Sequence, residues 1–226
     1  MIGGTKVINY TAHGDVAILT MDDGKANALG HALIDQLNEV LDRAVEEAKA
    51  VVITGRPGLF CAGFDLKEFD KGHDATMALV HKGARLLLRI FSHPQPVVAA
   101  CTGHAIAAGA FILLAADTRL GVDGDFKIGL NETAIGLILP TFGLELAKAR
   151  LSKRYQTAAV IQATMYDPLG AKNAGFLDDV VSADGLLSSA VERAASLAEF
   201  PSEAYAANKT AIRFETIANI NASLGA

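Results

Sequence analysis

The run of residues 127–140 contains a single carboxylate, Glu132, among neighbours that are mostly apolar or small. Desolvation disfavours the charged form of a carboxyl group, so such surroundings would raise the pKa of Glu132. A raised pKa makes the carboxylate a better proton acceptor at neutral pH. The alternative is that Glu132 opens a helix capped by Asn131, where an acid stabilises the free N–H groups. The run by itself leaves both interpretations open.

Two loops of small residues, 62–65 and 103–109, share one arrangement. Each is predicted to follow a buried strand and to lead into a helix. Small residues let a ligand approach the backbone closely, and helix N-termini present unpaired N–H groups with partial positive charge. Two such groups directed at one carbonyl oxygen form an oxyanion hole. The alternative is that the small residues only permit tight packing of helix on strand.

Composition indicates a compact soluble protein. The chain has 226 residues, of which 51% are hydrophobic and 20% charged. Its net charge is −5, and acidic and basic residues are interspersed along the chain. This composition argues against disorder, and the absence of a dense basic patch argues against nucleic acid as a partner.

Two cysteines, Cys61 and Cys101, lie in apolar contexts and form no C-x-x-C pair, which favours a reduced, cytoplasmic compartment. Residues 1–6 lack the apolar run of a signal peptide. The uncharged stretch 97–116 is long enough to span a membrane, but Pro96 and an interrupting Thr-Gly-His favour a strand, a turn and a buried helix. We therefore expect no membrane partner.

Apolar periodicity predicts alternating strands and helices in the first two-thirds of the chain, which is typical of an α/β fold with mostly parallel strands. After Pro140 the pattern becomes helical. The predicted strands are 7–10, 16–21, 50–55, 97–101 and 117–120. The predicted helices are 29–45, 75–91, 104–116, 144–151, 156–163, 186–197 and 203–222.

Segments 60–68 (FCAGFDLKE) and 96–105 (PVVAACTGHA), together with Glu132, resemble the two oxyanion segments and the glutamate of the crotonase superfamily, the enoyl-CoA hydratases and isomerases. The resemblance extends over about residues 7–208. It implies a spiral of ββα units (1–185) followed by a short helical C-terminal region (186–226). It also implies acyl-CoA thioester substrates and a homotrimer or dimer of trimers.

By the same resemblance, the backbone N–H groups of Phe64 and Ala108 hold the thioester oxygen and Glu132 is the catalytic acid–base group. The family more often has glycine at position 108, and alanine narrows the space beside the thioester. The resemblance implies no metal or redox cofactor. Coenzyme A is counted as part of the substrate and not as a cofactor. The implied substrate contacts are Lys25, Ala26, Ala28, Ala62, Asp65, Leu66, Gly109 and Phe111.

Hydratases of this family resemble one another in carrying two glutamates that hold and activate water. One of those positions is Phe111 here, which cannot move a proton, and the other is Glu132. Residues 128–133 (IGLNET), followed by Gly136 and Pro140, are closely similar to mitochondrial 3,2-trans-enoyl-CoA isomerases. We therefore predict migration of a double bond from 3-enoyl-CoA to 2-enoyl-CoA. The alternatives are another crotonase-type activity, such as hydratase or thioesterase, and a non-catalytic acyl-CoA-binding protein.

Four other residues attract attention. We interpret His104 as a structural loop residue and Glu145 as a solvated residue on a helix face. Lys209 and Arg213 could meet coenzyme A phosphates, which the sequence does not decide. Family members usually continue for another helix or more beyond the point where this chain ends.

Overall fold

A computed structural model describes residues 6–225, so the prediction about a signal peptide falls almost wholly outside the described residues. The strands are β1 (Ile8–His13), β2 (Val16–Met21), β3 (Ala50–Thr54), β4 (Gly58–Cys61), β5 (Val97–Cys101), β6 (Gly103–Ile106), β7 (Thr118–Val122), β8 (Ile128–Gly129) and β9 (Asp179–Val181). The α-helices are α1 (His31–Glu47), α2 (Leu66–Phe69), α3 (His73–Phe91), α4 (Ala108–Ala115), α5 (Thr141–Arg150), α6 (Pro168–Ala174), α7 (Leu186–Ala198) and α8 (Ser202–Ser223).

The strands form two sheets. The larger has the order β1-β2-β3-β5-β7-β9, in which β1 and β2 are antiparallel and every other pair is parallel. The smaller sheet, β4-β6-β8, is wholly parallel. This arrangement, with helices concentrated toward the C-terminus, confirms the predicted α/β class.

The central strands β3 and β5 of the large sheet are buried on both faces, as their continuous apolar runs predict. Val51 and Ile53 face the main core, which α1, α3 and α4 cover, whereas Ala50 and Val52 face a second core. Helix α7 covers that second face with Leu186, Ala190 and Ala194. The predicted boundary at residue 185 assigns α7 to the C-terminal region, although α7 covers the large sheet. The division into residues 1–185 and 186–226 stays a prediction.

The predicted helix 104–116 is wrong in its first part. Gly103–Ile106 is strand β6, which pairs with β4 on one side and β8 on the other, and α4 begins only at Ala108. An added Cβ at Gly103 would lie 2.1 Å from the carbonyl carbon of Gly58, so a glycine is required where these strands meet. Pairing with two neighbours overrides the helix propensity of the alanines.

The predicted helix 156–163 is also irregular: a 3₁₀ turn, Lys153–Tyr155, precedes a π-helical turn, Thr157–Ile161. The uncharged stretch 97–116 forms β5, β6 and α4. Within residues 6–225, no helix is both long and apolar enough to cross a membrane.

Candidate active site

The three chemistry-bearing segments follow three neighbouring parallel strands. In the small sheet Cys61 pairs with Ala105, and Ala105 with Ile128, so β4, β6 and β8 run side by side. Their carboxyl ends lie at one edge, and ligands of parallel sheets bind at such edges. Loop 62–65, loop 107–108 and Glu132 follow those ends, so the topology brings the predicted catalytic segments to one edge of the small sheet.

The first loop directs the Phe64 amide away from its neighbouring strand. Leu29 donates its N–H to Gly63 O at 2.7 Å, and Asp65 donates its N–H to Leu29 O at 3.4 Å. Phe64 lies between these two bonds, and its own N–H has no hydrogen-bond acceptor among the described residues. The Phe64 ring fills a gap in α3 at Gly83, where an added Cβ would lie 2.4 Å from the ring. That contact holds the amide in place.

The second loop ends in a backbone conformation that is unfavourable for alanine. Ala107 has φ 52° and ψ −116°, and its N–H donates to Gly129 O at 2.9 Å. Ala108 is the first residue of α4, so its N–H has no intrahelical acceptor, and none is found elsewhere in residues 6–225. A Cβ added to Gly63 would lie 3.8 Å from Ala108 N. The two loops are therefore adjacent.

Gly109 supports this arrangement rather than lining open space. An added Cβ would lie 2.2 Å from Cys61 O, so only glycine lets α4 start against β4. The alternative proposed for the small residues, tight helix–strand packing, therefore describes Gly109 well. Its predicted contact with substrate stays a prediction.

Glu132 is buried, with 8% of its surface exposed, and its Oε2 atom has no hydrogen-bond partner among residues 6–225. Burial raises the pKa of its carboxyl group above the ordinary value of 4.5. The helix-cap alternative is wrong for the side chains: Glu132 precedes the 3₁₀ turn Thr133–Ile135 but makes no capping bond, and Asn131 Oδ1 is also buried without a partner. The arrangement can therefore accept a proton from a bound ligand.

Phe111 lies one turn into α4, three residues after Ala108, and is 1% exposed. Its ring packs edge-on against Phe142 of α5, with ring centroids 5.5 Å apart and an interplanar angle of 73°. It also lies against Gly143, where an added Cβ would be 2.7 Å from its Cζ atom. Sequence reasoning missed Phe142 and Gly143, since nothing local marks a contact between two helices.

The segment 25–28 is tied directly to the first loop. Ala26 O accepts the Ala62 N–H at 3.1 Å. Asn27 is fully buried at φ 47°, and its side-chain amide donates to Met21 O at 2.9 Å and Phe60 O at 3.2 Å. The sequence indicated this asparagine only as part of the segment expected to line the coenzyme A site, and its structural role was not predicted. The predicted contacts around it are exposed or half-buried: Lys25, Ala26, Ala28 and Ala62.

Asp65 and Leu66 lie where the first loop enters α2. The Asp65 carboxylate caps that helix by accepting the Lys67 N–H at 3.1 Å. Leu66 is 60% exposed. Asp65 is half-buried, and the predicted place of both residues beside adenine stays a prediction.

The other residues singled out have structural partners. His104 has a structural contact, since its Nδ1 atom accepts the Lys127 N–H at 2.9 Å, but it lies in strand β6 and not in a loop as predicted. Lys209 and Arg213 are bound to the carboxylate of Asp117, with Lys209 Nζ 2.6 Å and Arg213 2.9 Å from its oxygens. Glu145 is not a solvated residue: its side chain is 14% exposed and contacts residues of α5 and α8. Within residues 6–225, no group of three or more His, Cys, Asp or Glu could hold a metal ion.

A sequence profile described as enoyl-CoA hydratase/isomerase matches residues 11–223. A Bacillus subtilis protein named probable enoyl-CoA hydratase is 35% identical over 127 residues, covering 54% of this chain and 49% of that protein, so the match spans about half of its length. The human protein enoyl-CoA delta isomerase 1, mitochondrial, is 27% identical over 95% of this chain and 72% of its own length.

A Mycobacterium tuberculosis protein of known structure is 37% identical to this chain, with a TM-score of 0.92 over 97% of this chain and 96% of that one. One structure of it is described as an enoyl-CoA isomerase and another as a probable enoyl-CoA hydratase. This chain and that protein thus match over nearly their whole lengths. The profile match across most of the chain, together with this similarity, shows that the chain belongs to the enoyl-CoA hydratase/isomerase family.

Proposed function

We propose that this protein moves the double bond of a 3-enoyl-CoA to give the 2-enoyl-CoA, with Glu132 as its single acid–base group. The observation that carries the proposal is the buried Glu132 carboxylate, whose Oε2 atom has no hydrogen-bond partner within residues 6–225. It follows the same sheet edge as the two unpaired N–H groups of Phe64 and Ala108. A buried polar group without a partner is costly, which favours a role in which the ligand supplies the missing partner.

In the proposed reaction the thioester oxygen accepts hydrogen bonds from the amides of Phe64 and Ala108. Each such donor typically contributes ~3 kcal/mol to stabilisation of the transition state. Glu132 removes a proton from C2, and the electron pair of that C–H bond moves into a dienolate whose negative charge lies on the thioester oxygen. Protonated Glu132 then delivers a proton to C4, which leaves the C2–C3 double bond and regenerates the carboxylate.

Isomerisation is favoured over hydration because of what occupies the α4 face beyond Ala108. Hydration needs a held water and a second group that moves a proton, whereas the Phe111 ring at this position is apolar and packed against Phe142. Relatives carry both names, so this choice depends on Phe111 and on the isomerase-like run that contains Glu132.

The test is to incubate the protein with 3-hexenoyl-CoA and, separately, with 2-hexenoyl-CoA while following absorbance of the conjugated thioester. We expect absorbance to rise with the first substrate and to change far more slowly with the second. Rapid loss of absorbance from 2-hexenoyl-CoA, with no product from 3-hexenoyl-CoA, would show a hydratase instead.

A second measurement separates catalysis from binding alone. In deuterated water, the proposed enolate predicts exchange of C2 protons of bound acyl-CoA, and Glu132→Gln should abolish it. Exposed Glu46 on α1 offers a matched control, because Glu46→Gln makes the same chemical change away from the site. Binding of acyl-CoA without any exchange in the unaltered protein would support the non-catalytic alternative.

We also retain the homotrimer as a proposal. Large apolar side chains are exposed on α8 and after Glu132: Ile212 is 85%, Phe214 68% and Ile138 93% exposed. Exposed apolar side chains of this kind often lie in interfaces between subunits. Light scattering on the purified protein would give the mass directly, and a monomer at micromolar concentration would exclude the proposal.

A further inference from the structure

The contact between α4 and α5 contains a glycine where a side chain would not fit. A Cβ added to Gly143 would lie 2.7, 3.2 and 3.4 Å from three atoms at the far end of the Phe111 ring. The ring is almost fully buried and is held on another side by the edge of Phe142. A methyl group at position 143 would therefore have to displace the ring.

The direction of that displacement follows from helix geometry. Side chains of an α-helix lean toward its N-terminus and cover the preceding turn. In α4 that preceding turn begins at Ala108, whose amide faces the edge of the small sheet. A group inserted from α5 meets the far end of the ring and therefore pushes it back toward the first turn of α4.

We propose that Gly143 is a positioning residue for the acyl side of the site, acting through Phe111. By having no side chain, it leaves the volume in which the end of the Phe111 ring lies, and so keeps clear the space beside the Ala108 amide. This inference rests on the proposed function only in placing the acyl group of a thioester at that amide. A side chain at position 143 should therefore affect binding of the acyl group and not binding of the coenzyme A moiety.

The experiment compares binding of hexanoyl-CoA, a saturated thioester that cannot react by double-bond migration, with binding of free coenzyme A, both by titration calorimetry. Gly143→Ala should weaken hexanoyl-CoA binding by roughly tenfold, the range expected for forcing one methyl into a packed site. It should leave binding of free coenzyme A unchanged. A control variant, Gly170→Ala, adds a methyl to α6, where the tightest neighbour is the flexible carboxylate of Asp167, and should change neither.

The coupling to Phe111 is tested in a second background. Phe111→Leu removes the ring, so adding Gly143→Ala to it should cause no further loss of hexanoyl-CoA affinity. The double variant also covers the case in which Gly143→Ala alone fails to fold, since the clash is then absent. Equal loss of both ligands, no loss of either, or a loss that persists in the Phe111→Leu background would each overturn the proposal. An unaltered protein that binds hexanoyl-CoA but does not convert 3-hexenoyl-CoA would refute the isomerase assignment and leave this test intact.

Discussion

Two buried carboxylates in this molecule have opposite surroundings. Asp117, the residue before β7, accepts hydrogen bonds from the Val97 N–H at 2.8 Å, Lys209 Nζ at 2.6 Å and Arg213 at 2.9 Å. Glu132 is about equally buried, yet one of its oxygens has no partner among the described residues. An unpaired buried charge is costly, whereas a paired one can hold elements together. The difference separates a group that fixes the fold from one that is available to a ligand.

The cations beside Asp117 show that pairing does not remove the cost of burial. Burial lowers the pKa of Lys209, although Asp117 opposes that shift. Lys209 also donates to His93 O at 2.7 Å and Gln95 O at 2.8 Å, so all three of its protons are used. These bonds join α8 to the segment before β5. The cluster is therefore a structural attachment of the C-terminal helix.

The largest expected effect concerns Glu132. Glu132→Gln should lower the rate of isomerisation of 3-hexenoyl-CoA by roughly a hundredfold to ten-thousandfold, the usual contribution of a general base. The folded structure should persist, because the change removes a desolvated charge. Initial rates and thermal unfolding of the same preparation measure both expectations. Full turnover in a folded Glu132→Gln protein would remove Glu132 from the mechanism.

Asp117→Asn should instead lower the stability of the folded protein. It leaves two buried cations without their counter-ion, which typically costs about 3–5 kcal/mol of unfolding free energy. Urea unfolding measures this loss. The exposed pair Lys49–Asp15 gives the control, because Asp15→Asn at a surface ion pair should change stability by less than about 1 kcal/mol. Similar losses for both variants would contradict the structural role of the Asp117 cluster.

Ala107 tests whether strain is concentrated at the candidate site. Its φ of 52° suits glycine better than alanine, so Ala107→Gly should stabilise the protein by roughly 0.5–1 kcal/mol after allowing for the more flexible unfolded chain. The control Ala207→Gly, in the exposed part of α8, should instead destabilise by about 1 kcal/mol. Chemical denaturation of both variants decides, and equal losses would show that Ala107 is unstrained.

The smallest effect is a pH dependence of stability. Because the pKa of Glu132 is higher in the folded protein than in the unfolded chain, ionisation favours unfolding. The contribution of Glu132 to stability is therefore intact below the unfolded pKa and declines as pH rises toward the folded one. Thermal unfolding from pH 4 to 8 should show Glu132→Gln gaining on the unaltered protein as pH increases. A constant difference between them would mean that Glu132 has an ordinary pKa.

The sequence predicted the parts of the fold that depend on local pattern. The apolar runs of β3 and β5 are buried on both faces. Glu132, the only carboxylate of residues 127–140, is buried as its apolar neighbours indicated. It could not predict β6, because the four residues Gly-His-Ala-Ile are too few to show a distinctive period. That segment becomes a strand only through pairing with β4 and β8, which are themselves short.

Contacts between distant segments were equally inaccessible. Gly143 is a helix residue with no local reason to be glycine, and its function in packing appears only when α4 lies against it. Lys209 and Asp117 are 92 positions apart, so no pattern in either neighbourhood reveals that they form an ion pair. The predicted phosphate contact of Lys209 was open for the same reason.

Asn27 has a consequence for how the site would measure its ligand. Its amide bridges the carbonyls of Met21 and Phe60, and its neighbour Ala26 is bonded to Ala62. The segment expected to meet coenzyme A and the loop that carries the Phe64 amide are thus one rigid piece. Under the proposed function, the distance between the segment that contacts coenzyme A and the amide that binds the thioester oxygen is therefore fixed before the ligand binds. A thioester with a shortened pantetheine arm could then contact either segment 25–28 or the Phe64 amide, but not both at once.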